Sequence, residues 1–254
     1  MEDKLKEVIE VYKEENNKEC YVIDLVDETP SILDDKIGGI PYIPIGEEYP
    51  TDDKGNPLAL LIQINLENID LEGYPKSGIL EIFTDNEVDY PCKYSIKYYE
   101  SGLDYREDIP SIDLKYYIVN RGYKIKYYKD TCYMSASDYR FDDAICSAAN
   151  KVLGTDVTDS NELDNIFDGI DWYYEVLKAV KLEKVILGGY PDFTQTDPRG
   201  YSIKDKDECL FKLDVYGDYD KYTIGDSGIL FVLISKEDIE NKQFENAIVD
   251  WDCY

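Results

Sequence analysis

Several carboxylate and carboxamide side chains follow predicted strands or turns, which is the chemistry that binds a cation or a small polar ligand. Gln63 and Asn65 end one apolar strand, and Gln195, Asp197 and Asp226 lie in two later turns. Hard cations and polar ligands need oxygen atoms from separated segments, and paired carboxylates can also act as general acid and base. The opposing interpretation is that abundant Asp and Glu make proximity inevitable, since Asp before Gly or Ser commonly forms a turn. These five are the candidate ligand-binding residues.

The sequence favours a protein without catalysis. No histidine occurs among the 254 residues, which removes Ser-His-Asp and Cys-His catalysis and His-ligated zinc. The six cysteines are so far apart that no CxxC pair exists, and scattered thiols in a chain of this size are typically reduced and buried. We therefore predict no catalytic residue, no metal site, no cofactor and no disulfide framework. An enzyme ranks third among the functional hypotheses.

Two Gly-Gly-x-Pro turns, at residues 38–41 and 188–191, invite comparison with phosphate-binding loops. Glycine lets the backbone approach an anion closely. Neither turn has the lysine or the glycine spacing of the known loops, and a proline follows where a helix should begin. A structural turn before an extended segment is the favoured interpretation.

Charge restricts the partners of the chain. There are 55 acidic and 27 basic side chains, which gives a formal net charge of −28. Nucleic acid and anionic membranes are disfavoured because binding to them depends on Lys and Arg. The first ten residues are rich in charge, and no run of 18 apolar residues follows, so we expect a cytoplasmic protein.

The apolar pattern predicts an α+β fold with antiparallel sheets. Leu5, Val8, Ile9 and Tyr12 mark an N-terminal amphipathic helix, and a long helix is predicted near 159–181 from an Asp159 N-cap. A hairpin tip is predicted at residues 120–122. Helices and strands are segregated along the chain, which favours antiparallel over parallel sheets. The predicted strands lie at 20–26, 58–66, 78–84, 94–99, 114–120, 123–128, 185–187, 209–215, 228–234 and 247–251.

An internal duplication is indicated by three matching blocks. The Gly-Gly turns and the Ser-Gly-Ile-Leu segments at 77–80 and 227–230 both recur at an offset of 150 residues, and the strands at 62–65 and 211–214 recur at 149. Chance matches would not keep one register across three blocks. We predict a single domain over 1–254 with pseudo-repeats at about 36–84 and 186–234, whose Gly-Ile-Leu strands hold equivalent core positions.

The same blocks resemble the YwqG-like family of uncharacterised bacterial proteins, over about residues 36–253. Ile224 stands where members of that family often have Trp before Gly-Asp-Ser-Gly, and residues 90–146 carry no matching block. The blocks are Gly38–Pro44, Leu60–Asn65, Tyr74–Leu80, Leu187–Arg199, Gly225–Gly228 and Trp251–Cys253.

The resemblance implies a cytoplasmic domain of unknown function with mixed α and β structure, to which no catalytic residue can be assigned. Some members are encoded near polymorphic-toxin loci, which suggests an immunity-type or partner-binding role. A strongly acidic surface independently favours rapid capture of a basic partner. The leading hypothesis is therefore a non-catalytic interaction module, for example an immunity-type inhibitor of a basic partner. The alternative is a binding domain for a small polar ligand or cation at the interface of the two halves.

Overall fold

Ten β-strands form the framework of the protein in a computed structural model, which describes residues 1–85, 92–114, 118–214 and 221–253. The described pairings are all antiparallel and form one sheet in place of the several that were predicted. In chain order the strands are β1 (Asn17–Val26), β2 (Lys36–Ile37), β3 (Ala59–Asn65), β4 (Ile79–Thr84), β5 (Tyr94–Tyr99), β6 (Tyr123–Tyr133), β7 (Val185–Gly188), β8 (Glu208–Asp214), β9 (Gly228–Ile234) and β10 (Ile248–Cys253).

The order across the sheet is β10-β9-β8-β7-β1-β6-β2-β3-β4-β5. β1 and β6 pair along ten residues at the centre, from Asn17 opposite Tyr133 to Val26 opposite Lys124. The sheet curls until it is nearly closed, and Phe244, just before β10, stacks on Tyr98 of β5 with ring centroids 5.5 Å apart. A curled sheet of this kind encloses an apolar interior.

The interior is built from alternate residues of strands in both halves of the sheet. Successive side chains of a strand point to opposite faces, so Ile62 and Ile64 of β3 point inward while Gln63 points outward. The interior cluster includes Ile62, Ile64, Leu80, Ile82, Leu213, Leu230 and Val232.

Helices cover the outer face of the central strands. Leu5, Val8, Ile9 and Tyr12 are buried on α1 as predicted, where they pack with Cys20, Cys132 and Ile186 from β1, β6 and β7. The sequence prediction missed α2. The helices are α1 (Glu2–Glu15), α2 (Phe141–Leu153), α3 (Leu163–Ile166), α4 (Trp172–Val180) and α5 (Lys236–Glu240).

The long helix predicted near 159–181 is divided. Asp159 and Glu162 form the predicted capping box, but it opens a short 3-10 turn before α3. Gly169 then adopts a left-handed conformation with φ of 78°, which an α-helix excludes. Asp171 caps the start of α4 by accepting a hydrogen bond from the Tyr174 amide. A glycine break followed by a new N-cap therefore replaces one helix with two.

Nine of the ten predicted strands correspond to observed strands, and the region around 114–120 differs. Residues 115–117 lie outside the described part of the chain, as does residue 215 at the end of another predicted strand. Within the described remainder, Val119 forms an isolated bridge to Tyr222. In the part of the segment that the structure describes, residues 118–120 form no hairpin with β6, which pairs with β1 and β2.

The two predicted repeats occupy corresponding places in the sheet. Gly38 and Gly39 have φ angles of 67° and 83°, and Gly188 and Gly189 have 76° and 81°. Both Gly-Ile-Leu segments run into strands, β4 and β9. The β3–β4 register shifts between residues 60 and 62, and the β8–β9 register shifts between 209 and 211. A common origin of the two halves stays a prediction.

Candidate functional site

A polar cleft of about 650 Å³ lies between β1, β3 and β6, and we call it the Asp35 cleft. Its walls are the end of β1, the end of β3, the start of β6 and the segment before β2. Asn65 is the one sequence-predicted residue that lines it, and Leu33 and Asp34 also contribute. The cleft lies where β2, which is only two residues long, pairs with Ile62 and Gln63 of β3 and with Tyr123 and Lys124 of β6 but does not reach the ends of the cleft.

Asp35 is the best-connected carboxylate of the cleft. Its Oδ1 accepts the Asn65 amide at 2.6 Å, and its Oδ2 accepts the Tyr127 hydroxyl at 2.8 Å and the Asn68 amide group at 3.2 Å. Burial raises the pKa of Asp35, although these hydrogen bonds oppose the rise. Desolvation is therefore the larger effect on this carboxylate.

A row of polar side chains crosses three strands beside the cleft. Lys36 of β2 is paired with Gln63 of β3, which is paired with Glu81 of β4, and all three are buried. We call these three residues the polar row. Gln63 Oε1 accepts the Tyr42 amide at 2.9 Å, and its Nε2 donates to the carbonyls of Ile32 and Asp34. Gln63 therefore fixes the segment that precedes β2.

Burial brings the two charged ends of the polar row towards neutrality. Desolvation raises the pKa of Glu81 to about 8, against the opposing effects of the Tyr42 amide and the Lys36 charge. Desolvation also lowers the pKa of Lys36 to about 8. Lys36 donates to the carbonyls of Ser31 and Ile32, at 2.9 and 2.6 Å. The row therefore holds a buried acid and a buried base whose pKa values are both shifted by burial to about 8.

The remaining predicted residues lie in the other half of the sheet. Asp197 is buried and forms an ion pair with Arg199 at 2.7 Å, while Gln195 is exposed and its Nε2 donates to the Cys253 carbonyl at 3.2 Å. Asp226 is exposed in the turn before β9. No hydrogen bond among the described residues joins these three to Gln63 or Asn65. Their predicted role as one ligand site stays a prediction.

Arg199 is the centre of a buried ion network. It contacts Asp197 through two nitrogens, at 3.0 and 2.7 Å, and Asp138 at 2.7 Å. Asp138 also accepts two hydrogen bonds from the Arg140 guanidinium. Burial opposes the ionisation of Asp138, but Arg140 and Arg199 together hold its pKa below the ordinary value. The network ties the start of α2 to the loop after β7, which is a structural role.

Sequence reasoning missed Asp35, Tyr127 and Asp138. Asp35 directly precedes the β2 and Gly-Gly segment, which is the one local signal that could have found it. Tyr127 and Asp138 come from the tyrosine-rich middle, where no motif was recognised. Among the described residues, no group of three or more Cys, Asp or Glu is placed to hold a metal ion. No described helix has the length and apolarity to cross a membrane.

Residues 35–253 match the model of a domain of unknown function, DUF1963. The chain belongs to the DUF1963 family. The match begins at Asp35 and leaves α1 and β1 outside, yet β1 joins β6 to β7 at the centre of the sheet. In this DUF1963 chain, a strand that precedes the matched range therefore completes the sheet. No curated protein matches the chain.

Proposed function

We propose that this protein is a non-catalytic interaction module that binds a basic protein partner, in the manner of an immunity-type inhibitor. We further propose that it belongs to the YwqG-like group of bacterial proteins and acts in the cytoplasm. The single observation that carries the binding role is a surface, held by backbone hydrogen bonds, on which exposed apolar side chains lie among carboxylates. We call this surface, formed by residues 43–48 and 100–108, the Ile45 face.

The Ile45 face is held by backbone pairing. The Ile45 amide donates to the Asp104 carbonyl at 2.8 Å, and the Arg106 amide donates to the Ile43 carbonyl at 2.9 Å. Beneath it, the buried Tyr42 ring hydroxyl donates to the Leu103 carbonyl at 2.9 Å. A preorganised surface loses little conformational freedom on binding.

Two apolar side chains are presented at the centre of this face. Ile45 is 68% exposed and Leu103 is 46% exposed. The backbone hydrogen bond between Ile45 and Asp104, the residue after Leu103, places the two apolar side chains on adjoining segments. Single exposed apolar residues are common on surfaces. A pair on a fixed backbone instead supplies the apolar centre that protein interfaces surround with polar groups.

The charge around this pair selects a basic partner. Residues 43–48 and 100–108 contain six acidic side chains and one basic side chain, Arg106, and the Arg106 guanidinium contacts Asp108 at 2.8 Å. The six carboxylates are all exposed. Such a field speeds the approach of a basic protein and repels an acidic one.

Affinity capture from the native cell tests this function. The wild-type chain, an E47K/E48K variant and an E14K/E175K control are each used as bait, and captured proteins are identified by mass spectrometry. Both variants change the net charge by +4, but the control alters exposed positions on α1 and α4. We expect a basic protein to be captured by the wild type and the control, and lost from E47K/E48K.

Association kinetics of the captured protein complete the test. The association rate should fall with salt for the wild type and become less salt-dependent for E47K/E48K. If both variants bind as the wild type does, the Ile45 face is not the binding surface. Capture of acidic proteins alone would also contradict the proposal.

The Asp35 cleft favours a second candidate function, the binding of a small organic cation. Glu28, Asp34 and Asp35 line it against Lys124 and Lys126, so its formal charge is −1. Titration with 1,4-diaminobutane, followed by the amide resonances of the cleft residues, tests this function. Shifts that vanish in D34N support it, and unchanged spectra contradict it.

A further inference from the structure

A second cleft, of about 310 Å³, lies where β7 ends, and we call it the Gly188 cleft. β1 begins at Asn17, but its pairing with β7 starts only at Cys20, opposite Gly188. The chain then leaves the sheet through Gly188 and Gly189, both with left-handed backbone. The first three residues of β1 therefore lack a β7 partner, and the space beside them forms the cleft.

The corresponding turn of the other half is filled. A Cβ built on Gly38 would lie 2.7 Å from the Arg121 carbonyl oxygen, so backbone occupies that position. At Gly188 the nearest atom is the end of a flexible side chain, Leu71 Cδ1, also at 2.7 Å. The two Gly-Gly turns share a conformation, but their surroundings differ, and the second turn lines the Gly188 cleft.

One polar group on this cleft lacks a hydrogen-bond partner. Tyr74 is 9% exposed, and its hydroxyl is buried with no partner among the described residues. The hydroxyl lies 3.8 Å from the Cβ position of Gly188, and both residues line the cleft. Burial raises the pKa of Tyr74, and the electrostatic effects of Cys209 and Glu208 raise it further. The Tyr74 hydroxyl is therefore a neutral hydrogen-bond donor. An unpaired buried hydroxyl is costly, and a bound polar molecule would satisfy it.

The rim of the cleft presents charges of both signs. Lys18 contacts Glu208 at 2.6 Å, and Lys236 contacts Glu72 at 3.3 Å. Glu19 adds a third carboxylate. A lysine ammonium group can bind the carboxylate of a ligand while a glutamate carboxylate binds its ammonium group. Each ion pair of the rim would open to contact one end of such a zwitterion.

We propose that the Gly188 cleft binds a small zwitterion of the α-amino acid class with an apolar side chain. The lysines would hold its carboxylate, the glutamates would hold its ammonium group, and the Tyr74 hydroxyl would donate to it. Leu71 and Ile239 supply apolar wall for the side chain. The volume suits a molecule of this size. This site is separate from the Ile45 face and independent of the proposed partner binding.

Calorimetric titration with L-leucine, L-methionine and L-valine tests the proposal. We expect at least one to bind the wild type, and Y74F to bind it about tenfold more weakly because one hydrogen bond is lost. Y99F is the matched control, since the Tyr99 hydroxyl is also buried without a partner among the described residues but does not line the cleft. Y99F should bind as the wild type does.

Charge analogues test the zwitterion. 4-Methylpentanoate lacks the ammonium group of leucine, and leucine methyl ester lacks its carboxylate, so both should bind at least tenfold more weakly. Without amino acid, Y74F should unfold at the same temperature as the wild type or higher, because it removes an unpaired hydroxyl. Should Y74F fail to fold, shifts of the Gly188 and Gly189 amide resonances on adding leucine to the wild type decide the matter.

Three results would overturn the proposal. The first is that none of the three amino acids binds the wild type or shifts those resonances. The second is that Y74F and Y99F lose affinity equally. The third is that 4-methylpentanoate binds as tightly as leucine, which would make the site one for carboxylates alone.

Discussion

Replacing Glu81 with glutamine should remove a large part of the pH dependence of stability. The Glu81 side chain is fully buried. Its Oε1 accepts the Tyr42 amide at 2.8 Å, and its Oε2 has no hydrogen-bond partner among the described residues. Glutamine keeps the shape and the bond from Tyr42, and it leaves one polar atom unpaired as protonated Glu81 does. E81Q therefore imitates the neutral acid at every pH.

The magnitude follows from the rise in pKa from 4.5 to about 8. Because the folded state keeps its proton longer than the unfolded state, Glu81 stabilises the fold below pH 4.5, and this contribution is lost as pH rises to 8. At 1.36 kcal/mol per pKa unit the whole loss is about 5 kcal/mol, of which about 3 to 4 kcal/mol falls between pH 5 and pH 8. That is a large share of the stability of a typical domain.

Urea unfolding of the wild type and E81Q at pH 5, 6, 7 and 8 measures this effect. The two should have similar free energies of unfolding at pH 5, and E81Q should be more stable by about 3 to 4 kcal/mol at pH 8. The control is E100Q at an exposed carboxylate, which separates the effect of burial at Glu81 from the effect of removing one negative charge. A constant difference between E81Q and the wild type would show that Glu81 ionises normally in the folded protein.

Four other perturbations test the fold. R199M should lower the free energy of unfolding by about 3 to 5 kcal/mol in urea, since it leaves Asp138 and Asp197 buried without their shared cation; a loss below 1 kcal/mol would contradict this. G189A should cost about 1 to 3 kcal/mol more than G154A, because both glycines have positive φ but only Gly189 has the Cβ of Cys132 within 2.8 Å of the added methyl; equal losses would argue against crowding. Thiol titration of the unfolded, unreduced protein should count six free cysteines, and fewer would reveal a disulfide. Raising NaCl from 0.05 to 0.5 M should raise the free energy of unfolding, because salt screens the repulsion within a net charge of −28 spread over an accessible surface of 12548 Å². An unchanged or lower free energy of unfolding would show that this repulsion does not limit stability.

The strands were predictable because their apolar residues alternate or run continuously between turn signals. β5 and β9 have the predicted bounds, and the buried face of α1 is the predicted one. α2 was missed because its start follows a polar, tyrosine-rich stretch, and its small residues, such as Ala148 and Ala149, give a weak apolar signal. The break at Gly169 was missed because an isolated glycine within a helical pattern does not by itself require an interruption.

The candidate site was less predictable because its contacts join distant segments. Asn65 was found as a polar residue after an apolar strand, but its neighbour Asp35 is 30 residues earlier and Tyr127 is 62 residues later. Gln63 and Asp197 were predicted as ligand-binding residues from their places after a strand and in a turn. Their side chains are bound to the backbone around Ile32 and to Arg199, respectively, and the sequence carries no signal for partners at such separations.

The two halves also show how one backbone arrangement can serve different chemistry. The positions of the polar row in the first half correspond, by the sequence offsets, to Ile186, Lys212 and Phe231 in the second. There Phe231 packs on Phe193 with ring centroids 4.8 Å apart, whereas Glu81 instead receives the Tyr42 amide. Sheet register alone does not require a buried acid and base at these positions, since apolar residues occupy two of them in the second half. The cost of burying Lys36 and Glu81 is therefore specific to the first half of the sheet. That half also carries the Asp35 cleft and the Ile45 face, where we place partner binding.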